Sequence, residues 1–255
     1  MRTAGAVPRV VSLVPSLTEA VAVSAPGVLV GATEWCTHPA GLDVARIGGT
    51  KNPDVAAITA LAPDLVLANE EENRAPDLAA LRAAGLDVLV TEIRTLDQGL
   101  SELTRVLAAC GVPRRPRWLV DAEAAWDSVT PLEPGPDGRP PTAVVPIWRR
   151  PWMVLGSDTF AGDLLARLGV RNVYEDHLDR YPRIPIDELR ATAPDLVVLP
   201  DEPYRFTAND GPEAFPGTAA ALVDGRLLTW YGPSLAEAPR ALSWELTRAR
   251  RAARR

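Results

Sequence analysis

The chain has 255 residues, 47% of them hydrophobic and 24% charged, enough to bury one large domain or two ordinary lobes and to exclude wholesale disorder. A net charge of −6 at pH 7 supplies no overall field for a phosphate backbone or an anionic membrane, which argues against nucleic acid as a partner. No run of ~18 uninterrupted apolar residues occurs, so no membrane insertion is expected.

In chain order, Met1 to Pro8 lacks the apolar stretch of a secretory signal, and the chain as written reads as cytoplasmic or as a mature form. Short β-branched runs then alternate with alanine- and leucine-rich helical stretches, the pattern of parallel sheets with crossover helices and hence of an α/β fold. Strands are predicted at residues 9–14, 28–32, 65–68 and 87–90, and in the second half at 142–147, 172–174, 196–199 and 227–230. Ser16-Leu-Thr-Glu19 has the form of a capping box, placing a helix start directly after the first strand with Pro15 at the turn. Ala62-Pro-Asp-Leu-Val66 is echoed by Ala193-Pro-Asp-Leu-Val197, each after a helical stretch and before an acidic loop, which suggests two lobes of like design. Between them Trp118, Leu119, Ala122, Ala125, Trp126 and Val129 form a stripe at helical spacing. A proline- and glycine-dense linker at 131–141 follows. The expected organisation is an amino-terminal lobe over 1–112, a connecting helix over 113–130 and a carboxy-terminal lobe over 131–255. The closing run Arg248, Arg250, Arg251, Arg254 and Arg255 ends an amphipathic segment, where cations complement a helix dipole.

Motifs for nucleotide cofactors are absent, as is the nucleophile elbow of a serine hydrolase, and the only histidines are His38 and His177. No enzymatic activity and no required cofactor are expected. Glu34-Trp-Cys-Thr-His38 admits two readings. Extended, it would point Glu34, Cys36 and His38 the same way, with Cys36 and His38 as metal ligands. Otherwise Cys36 is a packed thiol and His38 a ligand-lining imidazole. Cys110, at a predicted helix end, reads as a small apolar filler.

As a set, three first-half motifs and three second-half motifs resemble the helical-backbone metal receptors, the periplasmic-binding proteins for cobalamin and iron siderophores. The first three are 9–19 (Arg-Val-Val-Ser-Leu-Val-Pro-Ser-Leu-Thr-Glu), 30–39 (Val-Gly-Ala-Thr-Glu-Trp-Cys-Thr-His-Pro) and 58–66. In the second half they are 156–165 (Gly-Ser-Asp-Thr-Phe-Ala-Gly-Asp-Leu-Leu), Asn172-Val173 and 186–197. The resemblance implies two Rossmann-like lobes joined by a single long helix, with a ligand cleft between them. The cobalamin-binding branch looks most similar. It implies cobalamin or another corrinoid as ligand first, haem or a ferric siderophore second, with an ABC permease as a possible partner and a monomeric chain. His38 takes a position where that branch has a ligand-touching tyrosine, and the two tryptophans that flank its corrinoid fall here at Thr50 and Asn69.

On this reading Trp35, His38 and Asn69 from the first lobe and Trp148, Trp152, Tyr204, Trp230 and Tyr231 from the second face the ligand, with Arg240 reaching a ligand carboxylate or phosphate. Arg149, Arg150 and Arg205 serve either as further anion contacts or as surface ion pairs. Permease docking through one acidic residue per lobe would fall to Glu71 and Glu202. Two rival classes use the same fold: a cytosolic enzyme of tetrapyrrole or siderophore metabolism working through Cys36 and His38, and a regulatory or scaffold protein that has lost its ligand.

Overall fold

The computed structural model describes residues 7–253. Met1 to Ala6, part of the stretch read for a secretory signal, and Arg254 and Arg255 of the closing arginine run lie outside the described residues. The chain divides into two compact units. The first contains the residues up to Ile93, Asp97–Val120 and Tyr231–Pro233; the second contains Arg94–Leu96, Asp121–Trp230 and the residues from Ser234 on.

The first unit is built from β1 (Val10–Ser12), α1 (Pro15–Ser24), β2 (Leu29–Ala32), β3 (Ala45–Arg46), a small hairpin of β4 (Gly48–Gly49) and β5 (Asn52–Pro53), α2 (Val55–Ala60), β6 (Leu65–Asn69), α3 (Ala75–Ala83), β7 (Val88–Thr91) and α4 (Leu96–Ala109). Its main sheet is wholly parallel in the order β3-β2-β1-β6-β7. Val11, Leu13, Ile58, Val66, Ala68 and Leu81 form its core beneath α2 and α3. α5 (Arg117–Asp127) follows, and the division of the chain falls inside it, between Val120 and Asp121. Its two tryptophans are anchored separately: the Trp118 indole donates to Ser24 Oγ at 2.9 Å in the first unit, and the Trp126 indole donates to Leu235 O at 3.1 Å in the second.

The second unit contains β8 (Thr142–Val144), a hairpin of β9 (Pro146–Arg149) and β10 (Trp152–Val154), α6 (Phe160–Arg167), β11 (Arg171–Asn172), α7 (Ile186–Ala191), β12 (Leu196–Pro200), β13 (Ala219–Val223), α8 (Gly225–Thr229) and α9 (Ala238–Ala253). Its sheet is again parallel, in the order β11-β8-β12-β13. The two main sheets are separate, as two α/β lobes require.

The five-residue echo is a structural device repeated once per unit. Ala62 and Ala193 both adopt a left-handed backbone with φ of 45°, turning the chain from α2 and α7 into the fully buried strands β6 and β12. The aspartate two residues later ties that turn to the entrance of the unit's central strand. Asp64 Oδ2 accepts from Arg9 N at 2.8 Å, and Asp195 Oδ2 accepts from Thr142 N at 2.8 Å and Thr142 Oγ1 at 2.9 Å.

Two local expectations are corrected. Pro15 occupies the first turn of α1, so Ser16 lies within the helix and Val14 stands at the cap with no side-chain cap bond; there is no capping box. Residues 227–230, read as the last strand from their leucines and tryptophan, fall largely in the helical turn α8, and the strand is the alanine-rich β13. Asp224 Oδ1 accepts from Arg226 N at 2.9 Å and starts that turn, while small residues suit a strand covered closely by α9.

Candidate functional site

In a doubly wound sheet, ligands meet the loops at the carboxyl ends of the strands, above all where the chain changes direction across the sheet. In the first unit that point lies between β1 and β6; in the second it lies between β8 and β12. Most of the candidate residues follow such strand ends. Residues 33–38 leave β2, Asn69 closes β6, the β9-β10 hairpin follows β8, Tyr204 follows β12, and Trp230 ends the turn after β13.

Around β2 the segment turns at Glu34 and Trp35, so Glu34, Cys36 and His38 do not share one face. Trp35 is 66% exposed, His38 is half-buried, and Cys36 is fully buried. Thr18 Oγ1 donates to Cys36 Sγ at 3.0 Å and Thr33 Oγ1 lies 3.1 Å from it, which ties the thiol to α1 and keeps it inside the unit. Thr37 Oγ1 lies 3.2 Å from His38 Nδ1. Among the described residues no group of three or more histidine, cysteine, aspartate and glutamate side chains is placed to hold a metal ion. Cys110 is buried just beyond α4, and burial pushes its thiol up to about 12.

Asn69 is engaged on all sides. Its amide donates to Thr91 O at 3.1 Å and Thr91 Oγ1 at 3.0 Å, and its Oδ1 accepts from Glu71 N at 2.9 Å and Glu72 N at 3.3 Å. This side chain shapes the acidic loop. Asn73 then links the two positions at which the resemblance places tryptophans, accepting from Asn69 N at 2.9 Å and donating to Thr50 O at 2.9 Å. Glu71 is half-buried, and Lys51 Nζ donates to its carbonyl. The Glu72 carboxyl is held above the usual carboxylate range by burial, with Glu71 adding to the shift and Lys51 opposing it. Tyr231, read with Trp230 as a ligand-facing pair, belongs to this first unit and is buried. Burial, and then Glu72, raise its phenol well above the ordinary value, against the hydrogen bond it makes with Ser16. Trp230 belongs to the second unit, so the pair is divided.

Aromatic residues gather at the switch point of the second unit. Trp148, 43% exposed, meets Tyr204 edge to face with centroids 5.6 Å apart. Tyr204 tilts against Phe206 at 4.7 Å, Phe206 stacks on Trp152 at 6.1 Å, and Trp152 meets Phe215 edge to face at 5.6 Å. Ion pairs brace the assembly: Arg149 bonds Asp210 and Glu213, its guanidinium lies 5.3 Å from the Trp152 ring centroid, and Tyr204 Oη donates to Asp210 Oδ2 at 2.7 Å. The structure therefore brings together Trp148, Trp152 and Tyr204 as a platform in which Trp148 is the exposed edge. Arg149 is committed to that platform, and Arg150 and Arg205 are exposed. Arg240 sits exposed in the first turn of α9. Phe215, Asp210 and Glu213 went unnoticed in the sequence, since nothing local links them to Arg149 some sixty positions earlier.

Glu202, read as a surface docking acid, is half-buried. A Cβ on Gly225 would sit 2.4 Å from its Cγ, so only glycine fits there. Its Oε1 is buried without a hydrogen-bond partner. Burial, together with Asp201 and Asp224, pushes the carboxyl up to about 7, against the Trp230 hydrogen bond and Arg226. Such an acid keeps its proton in the native chain while the unfolded chain releases it near 4.5, so stability falls as pH rises from about 4.5 to about 7. Denaturant titration of wild type and Glu202→Gln across this window should show wild type losing ~1–2 kcal/mol relative to the variant, a value already reduced for partial exposure. Parallel profiles would contradict a protonated Glu202.

Two parallel α/β units with candidate ligand residues at their strand ends define the architecture of a solute-binding protein. The family model described as "Periplasmic binding protein" matches residues 10–215, and the chain belongs to that family. It is 23% identical over 195 residues to the vitamin B12-binding protein of Vibrio cholerae serotype O1, covering 74% of this chain and 69% of that one. Among solved structures it is similar to the periplasmic heme-binding protein BhuT in complex with two hemes, with TM-score 0.79, 26% identity, and 95% and 98% of the two chains covered. A periplasmic heme-binding protein from Pseudomonas aeruginosa gives TM-score 0.71 and 26% identity over 92% and 91%. The expected cytoplasmic location finds no support in these relatives, whose names describe them as periplasmic where they give a place. Among the described residues no helix is long and apolar enough to cross a membrane.

Proposed function

We propose that this chain binds a planar metal chelate, a corrinoid or haem ahead of a ferric siderophore, as the substrate-binding component of an ABC transporter and without catalysing a reaction. The observation that carries this reading is the braced aromatic platform at the second unit's switch point, with Trp148 as its exposed edge. Flat, partly apolar rings gain area on such a surface at little conformational cost, because the ion pairs of Arg149 already hold it. Family membership and the relatives named for vitamin B12 and heme support the same class of ligand. The cysteine-based enzyme has less support, since Cys36 is buried against two threonines. A scaffold that has lost its ligand would have no use for an exposed tryptophan packed edge to face on a braced tyrosine.

Within this reading Trp35, His38, Trp148 and Tyr204 touch the ligand, with His38 offering its imidazole to cobalt or iron. Trp230 and Arg240 contribute at the rim. Glu71 is the acid we assign to permease docking; Glu202 is turned against Gly225 and Trp230. The test is a titration of the chain with cobalamin, cobinamide, haemin and a ferric siderophore, followed by tryptophan quenching and the visible spectrum. One of these should quench saturably, and Trp148→Ala and His38→Ala should each weaken its binding by about tenfold or more, the scale of an interface anchor. Absence of quenching by all four, or affinities indifferent to both substitutions, would overturn the assignment.

A further inference from the structure

α9 packs its inner face on the second unit's sheet through Leu242, Leu246 and Ala249, all buried. Its outer face is unusual for a chain of net charge −6. The helix has four arginines and one glutamate, and Trp244 stands on its outside at 67% exposure. Arg240, Trp244, Arg248 and Arg251 recur at helical spacing, so they form one stripe roughly 16 Å long. Arg240 and Arg251 are exposed, Arg248 keeps 63% of its side chain exposed while bonding Glu245, and Arg250 is drawn aside to the Glu133 carbonyl.

We infer that this outer face of α9 adsorbs to an anionic lipid surface, with Trp244 entering the headgroup layer and the flanking arginines pairing with lipid phosphates. Several physical points carry the inference. Tryptophan is amphipathic and settles at membrane interfaces, where one end is apolar and the other wet, whereas a lone indole in bulk water gains nothing. Guanidinium groups match phosphate geometry bidentately. The net negative charge does not cancel the stripe, because charges beyond about 8 Å are screened at physiological ionic strength. A single-stranded nucleic acid would instead need a basic groove with several stacking rings, and one convex helix with one tryptophan supplies neither. The apolar inner face is occupied by protein, so the contact is adsorption without insertion.

The full chain is sedimented with vesicles of phosphatidylcholine alone and of phosphatidylcholine mixed with phosphatidylglycerol. Binding is expected only to the mixed vesicles, with a blue shift of fluorescence that disappears in Trp244→Ser and a loss of binding in high salt. Arg248→Glu combined with Arg251→Glu should lower partitioning by more than about tenfold, since each basic residue near an anionic surface contributes roughly fivefold. All these positions point outward, and unchanged circular dichroism and chelate affinity establish that the variants are folded. No binding to mixed vesicles, equal binding to neutral ones, or indifference to both variants would overturn the inference. So would binding to polyglutamate or single-stranded DNA in preference to the mixed vesicles. Chelate titration is unaffected by any of these results, so the two proposals fail independently.

Discussion

Replacing Gly156 by alanine is expected to cost about 3 kcal/mol or more of stability, although it adds a single methyl group. A Cβ at this position would lie 2.1 Å from Asp179 O, 3.0 Å from Pro182 Cδ and 3.2 Å from Arg180 O. Two of these three are backbone atoms, so no side chain can rotate away. The strap from Asp179 to Pro182 crosses the glycine closely because Gly156 N donates to Arg180 O at 2.8 Å and Val154 N donates to Pro182 O at 3.1 Å. On the other side Asn172 Nδ2 donates to Gly156 O at 3.0 Å, so the glycine cannot retreat without breaking a buried bond. Thermal and urea unfolding of the variant should show a midpoint lowered by roughly 6–12 °C on the scale of a chain this long. A loss below about 1 kcal/mol would mean that the strap moves freely and that the close approach is not a constraint.

Trp152→Ala should be of similar size, about 3–5 kcal/mol, by the usual cost of truncating a large aromatic side chain. Its ring stacks on Phe206, meets Phe215 edge to face, and packs against the core cluster of Val144, Val154, Leu199 and Phe215. Losing it also removes the ring beneath Arg149, whose ion pairs to Asp210 and Glu213 then hold a loop with less to rest on. Trp152→Phe keeps the stacking and should recover most of the loss. Urea denaturation of the two variants decides the matter. If Trp152→Ala unfolds like wild type, the ring is a surface feature and returns to the list of ligand contacts. The consequence for function is practical: a binding defect in Trp152→Ala would report folding, so Trp148, the exposed neighbour in the same platform, is the residue to test.

Much of the architecture was legible because it rests on local chemistry repeated. Buried parallel strands announce themselves as short β-branched runs, and the turn Ala-Pro-Asp recurs because the same task recurs: a left-handed residue ends a helix and an aspartate binds the entrance of the central strand. The stripe of Trp118, Leu119, Ala122 and Trp126 marked α5 for the same reason, helical spacing of the residues that must be anchored or buried. Where local preference and position in the fold disagreed, the reading failed. Ala219 to Val223 has helical composition but completes a parallel sheet next to β12, where pairing over five residues outweighs propensity. Leu227 to Trp230 looks extended, but Asp224 starts a helical turn there.

The ligand-facing list divides in the same way. Sequence marked the loops, since strand ends are deducible and aromatic or acidic residues in them stand out: Trp35, His38, Tyr204 and Glu202 fall there, and Trp148 lies in the hairpin strand β9. Which of those side chains turns outward is a property of partners remote in the chain. Asn69 is claimed by Thr91, Tyr231 by burial beside Ser16 and Glu72, Cys36 by Thr18 and Thr33, and Glu202 by Gly225 and Trp230. Residue type and spacing set what a loop can offer, because helix and strand periodicity are local. Exposure and protonation were decided by tertiary structure alone, because desolvation and hydrogen bonding depend on atoms that only folding brings within a few ångströms.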